Sequence, residues 1–320
     1  MRYRNLGRTA LKVSELCLGT MNLGPRTSAT ESFDVLNQAV ASGINFIDTA
    51  NQYGGALGVG TSEQIIGQWL GEDRTRREKL VLATKVHEPM SDDINDRGLS
   101  ARHIQMACDA SLKRLGVDYI DLYQMHHIDT SAPMDEIWQA MERLITQGKI
   151  IYVGSSNFPG WAIARANEKA NARHQLGLVS EQSLYNLIER RAELEVLPAC
   201  REYGLGVIPW SPLAGGLLAG PADTTGGRRQ SAAALATSRH APQLQRFAEL
   251  CKAINETPSA TALAWLLHQP GITSTIIGPA TVDQLISVSH VPDIRLDDET
   301  RIQIDATFPP CGQAPEAYAW

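Results

Sequence analysis

The chain has 320 residues, of which 43% are hydrophobic and 20% charged, and its formal net charge is −6 at pH 7. This composition is ordinary for a globular protein, and the length allows one large α/β domain or two smaller ones. The densest basic segment, RTRREK at 74–79, is typical of a solvated loop and too short for a nucleic-acid-binding patch. We therefore expect no nucleic-acid partner.

The N-terminal stretch MRYRNLGRTALKVSE is too polar for a signal peptide or a mitochondrial presequence. No apolar run approaches the roughly 20 residues that a membrane-spanning helix needs. The five cysteines are scattered and form no CxxC pair, which is typical of free thiols in a reducing compartment. These features predict a cytoplasmic protein without a membrane partner.

A β-hairpin is predicted at the start of the chain, over residues 1–14, where YRNLG and LKVSELCLG flank a polar turn at 8–10. From there, short apolar runs alternate with longer amphipathic segments. In the segment ATESFDVLNQAVASG, apolar residues recur at helical spacing from Phe33 to Val40, and Gly43 ends the pattern. The segment therefore predicts a helix.

Eight short apolar runs follow the hairpin, and a helical pattern follows each of them. The runs are 15–19, 44–48, 80–85, 118–125, 149–154, 177–182, 205–210 and 273–277. Strict alternation of strand and helix implies parallel strands that are covered by helices. The count predicts a single α/β domain over 1–320, a (β/α)8 TIM barrel with an N-terminal β-hairpin and a C-terminal tail at 308–320. An open doubly wound sheet is the alternative, but no GxGxxG follows the first strand.

The active site of such a barrel lies at the carboxyl ends of its strands, so the residues that end the runs are predicted to surround one mouth. Polar or conformationally special residues end nearly every run: Gly19, Thr20 and Met21, then Asp48, Lys85, His126 and His127, Ser155, Ser156 and Asn157, Gln182, Trp210 and Ser211, and Gly278. This set is the candidate functional site.

Two of these positions, together with a nearby tyrosine, predict acid chemistry. A buried lysine needs a carboxylate partner, and Asp48 on the adjacent strand is the natural partner of Lys85. Tyr53 stands five residues beyond Asp48. The pKa of a phenol is ordinarily about 10, and a lysine ammonium near its oxygen lowers that value. The group would then donate a proton, whereas a structural ion pair and a packing tyrosine are the alternatives.

His126 and His127 are adjacent, and it matters which of their side chains points into the barrel mouth. Side chains alternate faces along a strand, so the two are not expected to enter the mouth together, and alternation does not say which one does. An inward neutral histidine near the tyrosine could donate a hydrogen bond to a carbonyl oxygen. A metal site is disfavoured, because adjacent histidines diverge and neither cysteine nor carboxylate stands at ligand spacing.

The segments FIDTANQY, LATK, DLYQMH, VGSSN, SEQ and IPWSPLAGGLL resemble the aldo-keto reductase superfamily, in barrel order and spacing, over most of the chain. The resemblance implies a (β/α)8 barrel that reduces carbonyl compounds with a nicotinamide cofactor and has no Rossmann fold. It also implies the catalytic set Asp48, Tyr53, Lys85 and His126, since the family pattern Q-x-H maps onto QMH. Tyr53 would be the general acid, and His126 would orient the carbonyl.

The same resemblance assigns cofactor-binding residues by position. Ser156, Asn157 and Gln182 would hold the nicotinamide carboxamide, and Trp210 would stack on the nicotinamide ring. The implied cofactor set is Gly19, Thr20, Met21, Ser156, Asn157, Gln182, Trp210, Ser211, Leu213, Gly215, Gly216, Arg228, Gly278, Thr281 and Gln284. Its glycines would let backbone amides approach the pyrophosphate, and the start of the last helix would meet the adenosine phosphate.

NADP(H) is the implied cofactor, and NAD(H) is the alternative. Many relatives carry an arginine after the glycine of the last strand, where this chain has Pro279 and Ala280. Arg228 and Arg229, in the insertion GPADTTGGRRQ, would reach the 2′-phosphate if that loop folds over, and a solvated loop is the alternative. His87 and His127 are the predicted contacts for a small-molecule carbonyl substrate, which would be an aldehyde, a ketone or a keto sugar.

Two other functions fit the sequence. The superfamily includes potassium-channel β subunits, so a cofactor-binding regulatory subunit with little turnover is one alternative. A barrel hydrolase or isomerase that binds no nicotinamide is the other. The tail at 308–320 ends in aromatic residues after two prolines, and it would cover the pocket or dock on a second copy in a homo-oligomer.

Overall fold

The computed structural model describes residues 1–220 and 229–312, with the side chains of 229–238 left out. The chain opens with strands β1 (Tyr3–Asn5) and β2 (Lys12–Ser14), which pair antiparallel with Tyr3 opposite Ser14. The predicted N-terminal hairpin is therefore confirmed.

Eight parallel strands form the main sheet, and each lies in or overlaps one of the eight predicted apolar runs. They are β3 (Leu16–Gly19), β4 (Phe46–Asp48), β5 (Val81–Val86), β6 (Ile120–Met125), β7 (Ile150–Ser156), β8 (Leu178–Gln182), β9 (Gly206–Val207) and β10 (Thr275–Ile277). The strand order is β10-β3-β4-β5-β6-β7-β8-β9, so strands that follow one another in the chain are neighbours and the last strand returns beside the first.

Backbone hydrogen bonds join the two ends of this sheet. The Val207 N–H donates to Gly271 O over 3.0 Å, and the Thr273 N–H donates to Val207 O over 2.9 Å. The Ile276 N–H donates to Pro209 O over 3.1 Å. The strands thus form the predicted (β/α)8 barrel.

Helices cover the outer face of the barrel. They are α1 (Ala29–Ala41), α2 (Thr61–Glu72), α3 (Ala101–Leu115), α4 (Met134–Thr146), α5 (Gly160–Asn171), α6 (Val196–Glu202), α7 (Arg229–Ala253), α8 (Pro258–His268), α9 (Val282–Ile286) and α10 (Asp298–Thr307). Local sequence fixes their starts: Ser28 and Glu31 form a capping box at α1, and Ser100 caps α3. In the described ranges, no helix has the length and apolarity to cross a membrane.

The hairpin plugs the amino end of the barrel. Leu6 and Val13 pack into an interior apolar cluster with Cys17, Phe46, Val81, Ala83, Leu122, Val179, Ile208 and Ile276. Gly7 has φ of +53°, and a Cβ on it would lie 2.3 Å from Val179 O, so only glycine lets the hairpin approach this closely. The polar interior side chains gather at the opposite, carboxyl end of the strands.

Candidate active site

Lys85 lies inside the barrel near the end of β5, two residues after the interior Ala83. Its Nζ is 2.5 Å from Asp48 Oδ2, 2.9 Å from Thr49 O and 3.2 Å from Tyr53 Oη. The lysine has no exposed surface, and three oxygens match the three donors of an ammonium. The predicted pair of Lys85 and Asp48 therefore forms, with the Tyr53 phenol against it.

The charge state of Lys85 follows from these contacts. Burial by itself lowers the pKa of Lys85, but the charge of Asp48 and the Tyr53 oxygen outweigh burial and raise the pKa above its ordinary value. The ammonium is therefore positive at any physiological pH. A permanent positive charge at 3.2 Å stabilises negative charge that develops on the Tyr53 oxygen.

Two amides hold the other carboxylate oxygen of Asp48. Gln124 Nε2 donates to Asp48 Oδ1 over 2.8 Å, and Gln182 Nε2 donates to the same oxygen over 2.9 Å. Both glutamines are buried, and Gln182 Nε2 also lies 3.3 Å from Gln124 Oε1. Sequence reasoning gave Gln124 no role, although its inward direction could have been found from alternation with the apolar Leu122.

His126 follows β6 and is only 8% exposed. Its ring centroid is 6.0 Å from that of Tyr53, with an interplanar angle of 77°. Burial, followed by the charges of Lys85, His127 and His87, lowers the pKa of His126 to about 2. The imidazole is therefore neutral, and it keeps one N–H that can donate to a carbonyl oxygen.

The second histidine, His127, does not point away from the first. The two rings stack with centroids 5.1 Å apart and an interplanar angle of 15°, because β6 ends at Met125 and strand alternation no longer applies. Glu88 Oε1 lies 3.2 Å from His127 Nε2 and 3.4 Å from His87 Nδ1. Glu88, which sequence reasoning missed, thus joins the two predicted substrate contacts in one polar cluster.

This cluster is not arranged as a metal site. Across the described part of the chain, no group of three or more His, Cys, Asp or Glu side chains is placed to hold a metal ion.

Four predicted cofactor residues come together beside His126, and we call Ser156, Asn157, Gln182 and Trp210 the cofactor clamp. The Ser156 hydroxyl and the Asn157 N–H donate to Gln182 O over 2.8 and 3.0 Å. Asn157 Nδ2 donates to His126 O over 3.1 Å, and Trp210 Nε1 donates to Asn157 Oδ1 over 2.9 Å. The Asn157 side chain therefore braces both the histidine backbone and the indole.

The loop that follows Trp210 has an unusual backbone. φ is +54° at Ser211, +49° at Ala214, +68° at Gly215 and +101° at Gly216. This left-handed conformation is unfavourable for serine and alanine, and such residues concentrate at ligand sites. A Cβ added at Gly215 would meet nothing within 4 Å, so the backbone there borders open space. The loop also contains the predicted cofactor residue Leu213, which is half-buried.

The tip of β3 supplies the predicted residues Gly19, Thr20 and Met21. Thr20 is buried, and its Oγ1 donates to Asp48 O over 3.0 Å, which ties β3 to β4. Met21 is 41% exposed. Asn22 Nδ2 donates to Gly278 O over 2.7 Å and joins this tip to the end of β10.

Thr281 and Gln284 cap the five-residue helix α9. The Gln284 N–H donates to Thr281 Oγ1 over 3.3 Å, and the Ala280 N–H donates to Gln284 Oε1 over 2.8 Å. The predicted cofactor set thus meets the mouth at β3, β7, β8, the loop after Trp210 and the end of β10. Arg228 and the last residues of the predicted tail lie outside the described residues.

Comparisons with known proteins agree with this geometry. The model of the aldo/keto reductase family matches residues 15–307. The "Uncharacterized oxidoreductase YrpG" of Bacillus subtilis is 50% identical over 327 residues, which cover both chains completely. A "Putative voltage-gated potassium channel subunit beta" of Schizosaccharomyces pombe is 35% identical over 89% of this chain and 86% of its own. The "Versiconal hemiacetal acetate reductase" of Aspergillus parasiticus is 31% identical over 97% and 98%.

The match begins one residue before β3 and ends with α10, so it takes in every parallel strand and the whole mouth of the barrel. The chain belongs to the aldo/keto reductase family of oxidoreductases.

Proposed function

We propose that this protein reduces aldehydes, ketones or keto sugars by hydride transfer from NADPH, with Tyr53 as the general acid. The observation that carries the proposal is the Lys85 ammonium, which touches Asp48 Oδ2 and Tyr53 Oη at 2.5 and 3.2 Å. A half-buried phenol against a permanent cation, at the mouth of a barrel, is suited to giving up its proton.

The mouth also fits a nicotinamide cofactor. The half-buried Trp210 indole is fixed at its Nε1 by Asn157 and is available for a planar ring to stack on. The loop from Ser211 to Gly216 contains four left-handed residues, and at Gly215 it borders open space, which suits the close approach of a pyrophosphate to the backbone. When bound, the reduced nicotinamide supplies the hydride.

The chain's own residues would handle the carbonyl oxygen. The neutral His126 donates a hydrogen bond that orients this oxygen, and the Tyr53 hydroxyl transfers its proton to it. Lys85 then stabilises the phenolate that remains on Tyr53. General acid catalysis of this kind contributes about 10²- to 10⁴-fold in rate, and alignment of the reactants contributes further powers of ten.

NADPH, as opposed to NADH, is the finer part of the proposal. It is supported by the family resemblance and depends on a cation such as Arg228, because Pro279 and Ala280 stand where many relatives have an arginine. The five free cysteines, four of them buried, support a reducing compartment such as the cytoplasm.

The test is oxidation of NADPH and of NADH across a panel of aldehydes, ketones and sugars, with the wild type and Tyr53→Phe. We expect turnover with the wild type, and Tyr53→Phe should bind NADPH within a few-fold of wild type but lose most turnover. Tyr3→Phe is the matched control, because it removes a phenol oxygen at the opposite end of the barrel, where Tyr3 donates to Gly43 O. Near wild-type turnover by Tyr53→Phe would show that the proton donor is another group.

A regulatory subunit is the second candidate, because several relatives bear the name of potassium-channel β subunits. It predicts tight NADPH binding without turnover of any panel member. The hydrolase or isomerase alternative predicts no quenching of tryptophan fluorescence on titration with NADPH.

A further inference from the structure

Glu181 is a fully buried carboxylate near the end of β8. Oε1 accepts hydrogen bonds from the Phe158 N–H over 3.1 Å and from Ser183 Oγ over 2.7 Å. Oε2 accepts from Ser155 Oγ. Among the ion pairs of the described residues, none includes Glu181. Its negative charge is therefore held by hydrogen-bond donors alone.

Such a site is unfavourable for a purely structural residue. Burial raises the pKa of Glu181 to about 7, even though its hydrogen bonds act in the opposite direction. A neutral glutamine or an apolar side chain would avoid the desolvation of a charge. Glu181 is the acceptor in each of these hydrogen bonds, so what the carboxylate supplies is acceptor capacity.

One of the groups that donate to Glu181 belongs to the loop that follows β7. The backbone N–H of Phe158, the residue directly after Asn157, donates to the carboxylate. Asn157 has φ of +57°, a left-handed conformation that needs support from its surroundings. From this conformation the Asn157 side chain reaches His126 O and Trp210 Nε1.

We propose that Glu181 is a positioning residue for the nicotinamide end of the cofactor site, because its carboxylate fixes the Asn157 loop that braces Trp210 and the His126 backbone. This inference rests on the proposed function. The inferred role extends the site beyond the residues that would touch the cofactor. It also explains why a charged side chain is buried at this position.

The inference has a consequence for pH. Protonation removes the negative charge of Glu181, and a hydrogen bond from the Phe158 N–H to a neutral carboxyl oxygen is weaker than one to a carboxylate. Ser155 and Ser183 face the carboxylate but do not titrate in this range. Burial, followed by the Glu181 charge, raises the pKa of the Cys200 thiol on α6, so this thiol stays neutral. Cofactor affinity should therefore fall as pH falls below about 7.

The test is the Kd for NADPH, from tryptophan fluorescence, between pH 6 and pH 8.5 in the wild type and Glu181→Gln. At pH 8 we expect Glu181→Gln to raise the Kd about 10-fold, because a neutral amide cannot accept from all the donors. The ratio of the two Kd values should shrink toward pH 6, and this ratio cancels the titration of the NADPH phosphate itself. The unfolding midpoint of Glu181→Gln should equal or exceed that of wild type.

Glu63→Gln is the matched control, because Glu63 is equally buried but pairs with Arg114 away from the clamp. It should lose stability and keep the wild-type Kd. Ser183→Ala removes one donor from Glu181 and should move the pH midpoint of NADPH binding upward.

A Glu181→Gln Kd equal to wild type at pH 8 would overturn the inference and leave carbonyl reduction intact. If that variant does not fold, an unshifted midpoint in Ser183→Ala would overturn it. A wild type that neither binds NADPH nor turns over any carbonyl would refute the proposed function and the inference with it.

Discussion

Gln124 and Asp48 meet inside the barrel, with 2.8 Å between Gln124 Nε2 and Asp48 Oδ1, although 76 positions separate them in the chain. Gln182 donates to the same oxygen, and the Lys85 ammonium donates to the other. Both oxygens of the carboxylate are therefore fixed. Because Asp48 sets the position of Lys85, the amide pair also sets the position of the cation against Tyr53.

The first prediction concerns Gln124→Met, which removes a donor and keeps a similar volume. We expect kcat to fall about 10-fold or more, since Asp48 can turn away from Lys85, while NADPH affinity stays within a few-fold of wild type. Steady-state kinetics with a separate binding titration measures both. Tyr123→Phe is the control, because it removes a buried hydroxyl from the residue directly before Gln124 in β6. This variant should keep the wild-type kcat. A kcat for Gln124→Met within twofold of wild type would contradict this role.

The buried ion pair can be tested apart from catalysis. Lys85→Met leaves the Asp48 carboxylate buried without its cation, which should lower the free energy of unfolding by about 3–5 kcal/mol. Adding Asp48→Asn removes the unpaired charge and should recover most of that loss without any recovery of turnover. Urea denaturation of wild type, the two single variants and the double variant gives the coupling. If the double variant were less stable than Lys85→Met, the amides of Gln124 and Gln182 would stabilise the lone carboxylate by more than its burial costs.

Apolar runs predicted all eight parallel strands, because a strand that is covered on both faces is apolar almost throughout. β6 is an example, since every residue from Ile120 to Met125 is buried. β9 is the exception in length: it covers only Gly206–Val207 of the predicted run 205–210. Pro209 lacks an N–H and offers the sheet only its carbonyl, so the ladder shortens there.

The site was predictable where one residue type at a strand end already implied its chemistry. A lysine and an aspartate at the ends of apolar strands are conspicuous, whereas Tyr53 gained its role only from its distance to Asp48 and from the family resemblance. Gln182 was expected at the cofactor, but its Nε2 reaches Asp48 across 134 positions, a contact that only the barrel's curvature creates. Glu181 stood in the same quoted segment and resembled an ordinary charged residue until its burial was known.

His126 predicts how stability depends on pH. Its pKa is about 2 in the folded protein, against an ordinary value of 6.5, so below pH 6.5 only the unfolded chain binds this proton. Stability should therefore fall as pH falls, by about 1.4 kcal/mol per unit from this residue. His126→Asn should remove that slope. Between pH 6.5 and pH 5, its free energy of unfolding should therefore rise by about 2 kcal/mol relative to that of wild type. Urea denaturation at a series of pH values would measure this difference, with His174→Asn as the control. Equal pH slopes in wild type and His126→Asn would contradict the prediction.

His127 is predicted to contact the substrate through the polar cluster with Glu88. His127→Phe keeps a ring against His126 but removes the contact between His127 Nε2 and Glu88. We expect kcat/KM for a hydroxylated aldehyde such as glyceraldehyde to fall about 10-fold more than that for propanal, with unchanged NADPH affinity. An unchanged ratio between the two aldehydes would place His127 outside the substrate site.

Gly215 tests the loop that is proposed to hold the pyrophosphate. Gly215 and Gly116 have φ of +68° and +64°, and a Cβ on either would meet nothing within 4 Å. Alanine should therefore strain both backbones alike and lower the free energy of unfolding by about 1 kcal/mol in each variant. Gly116 ends α3, whereas Gly215 borders the open mouth, so only Gly215→Ala should also weaken NADPH binding, by about 10-fold or more. Because the two variants should lose the same amount of stability, a difference between their Kd values for NADPH would come from the ligand contact alone. Equal Kd values would mean that the pyrophosphate lies elsewhere.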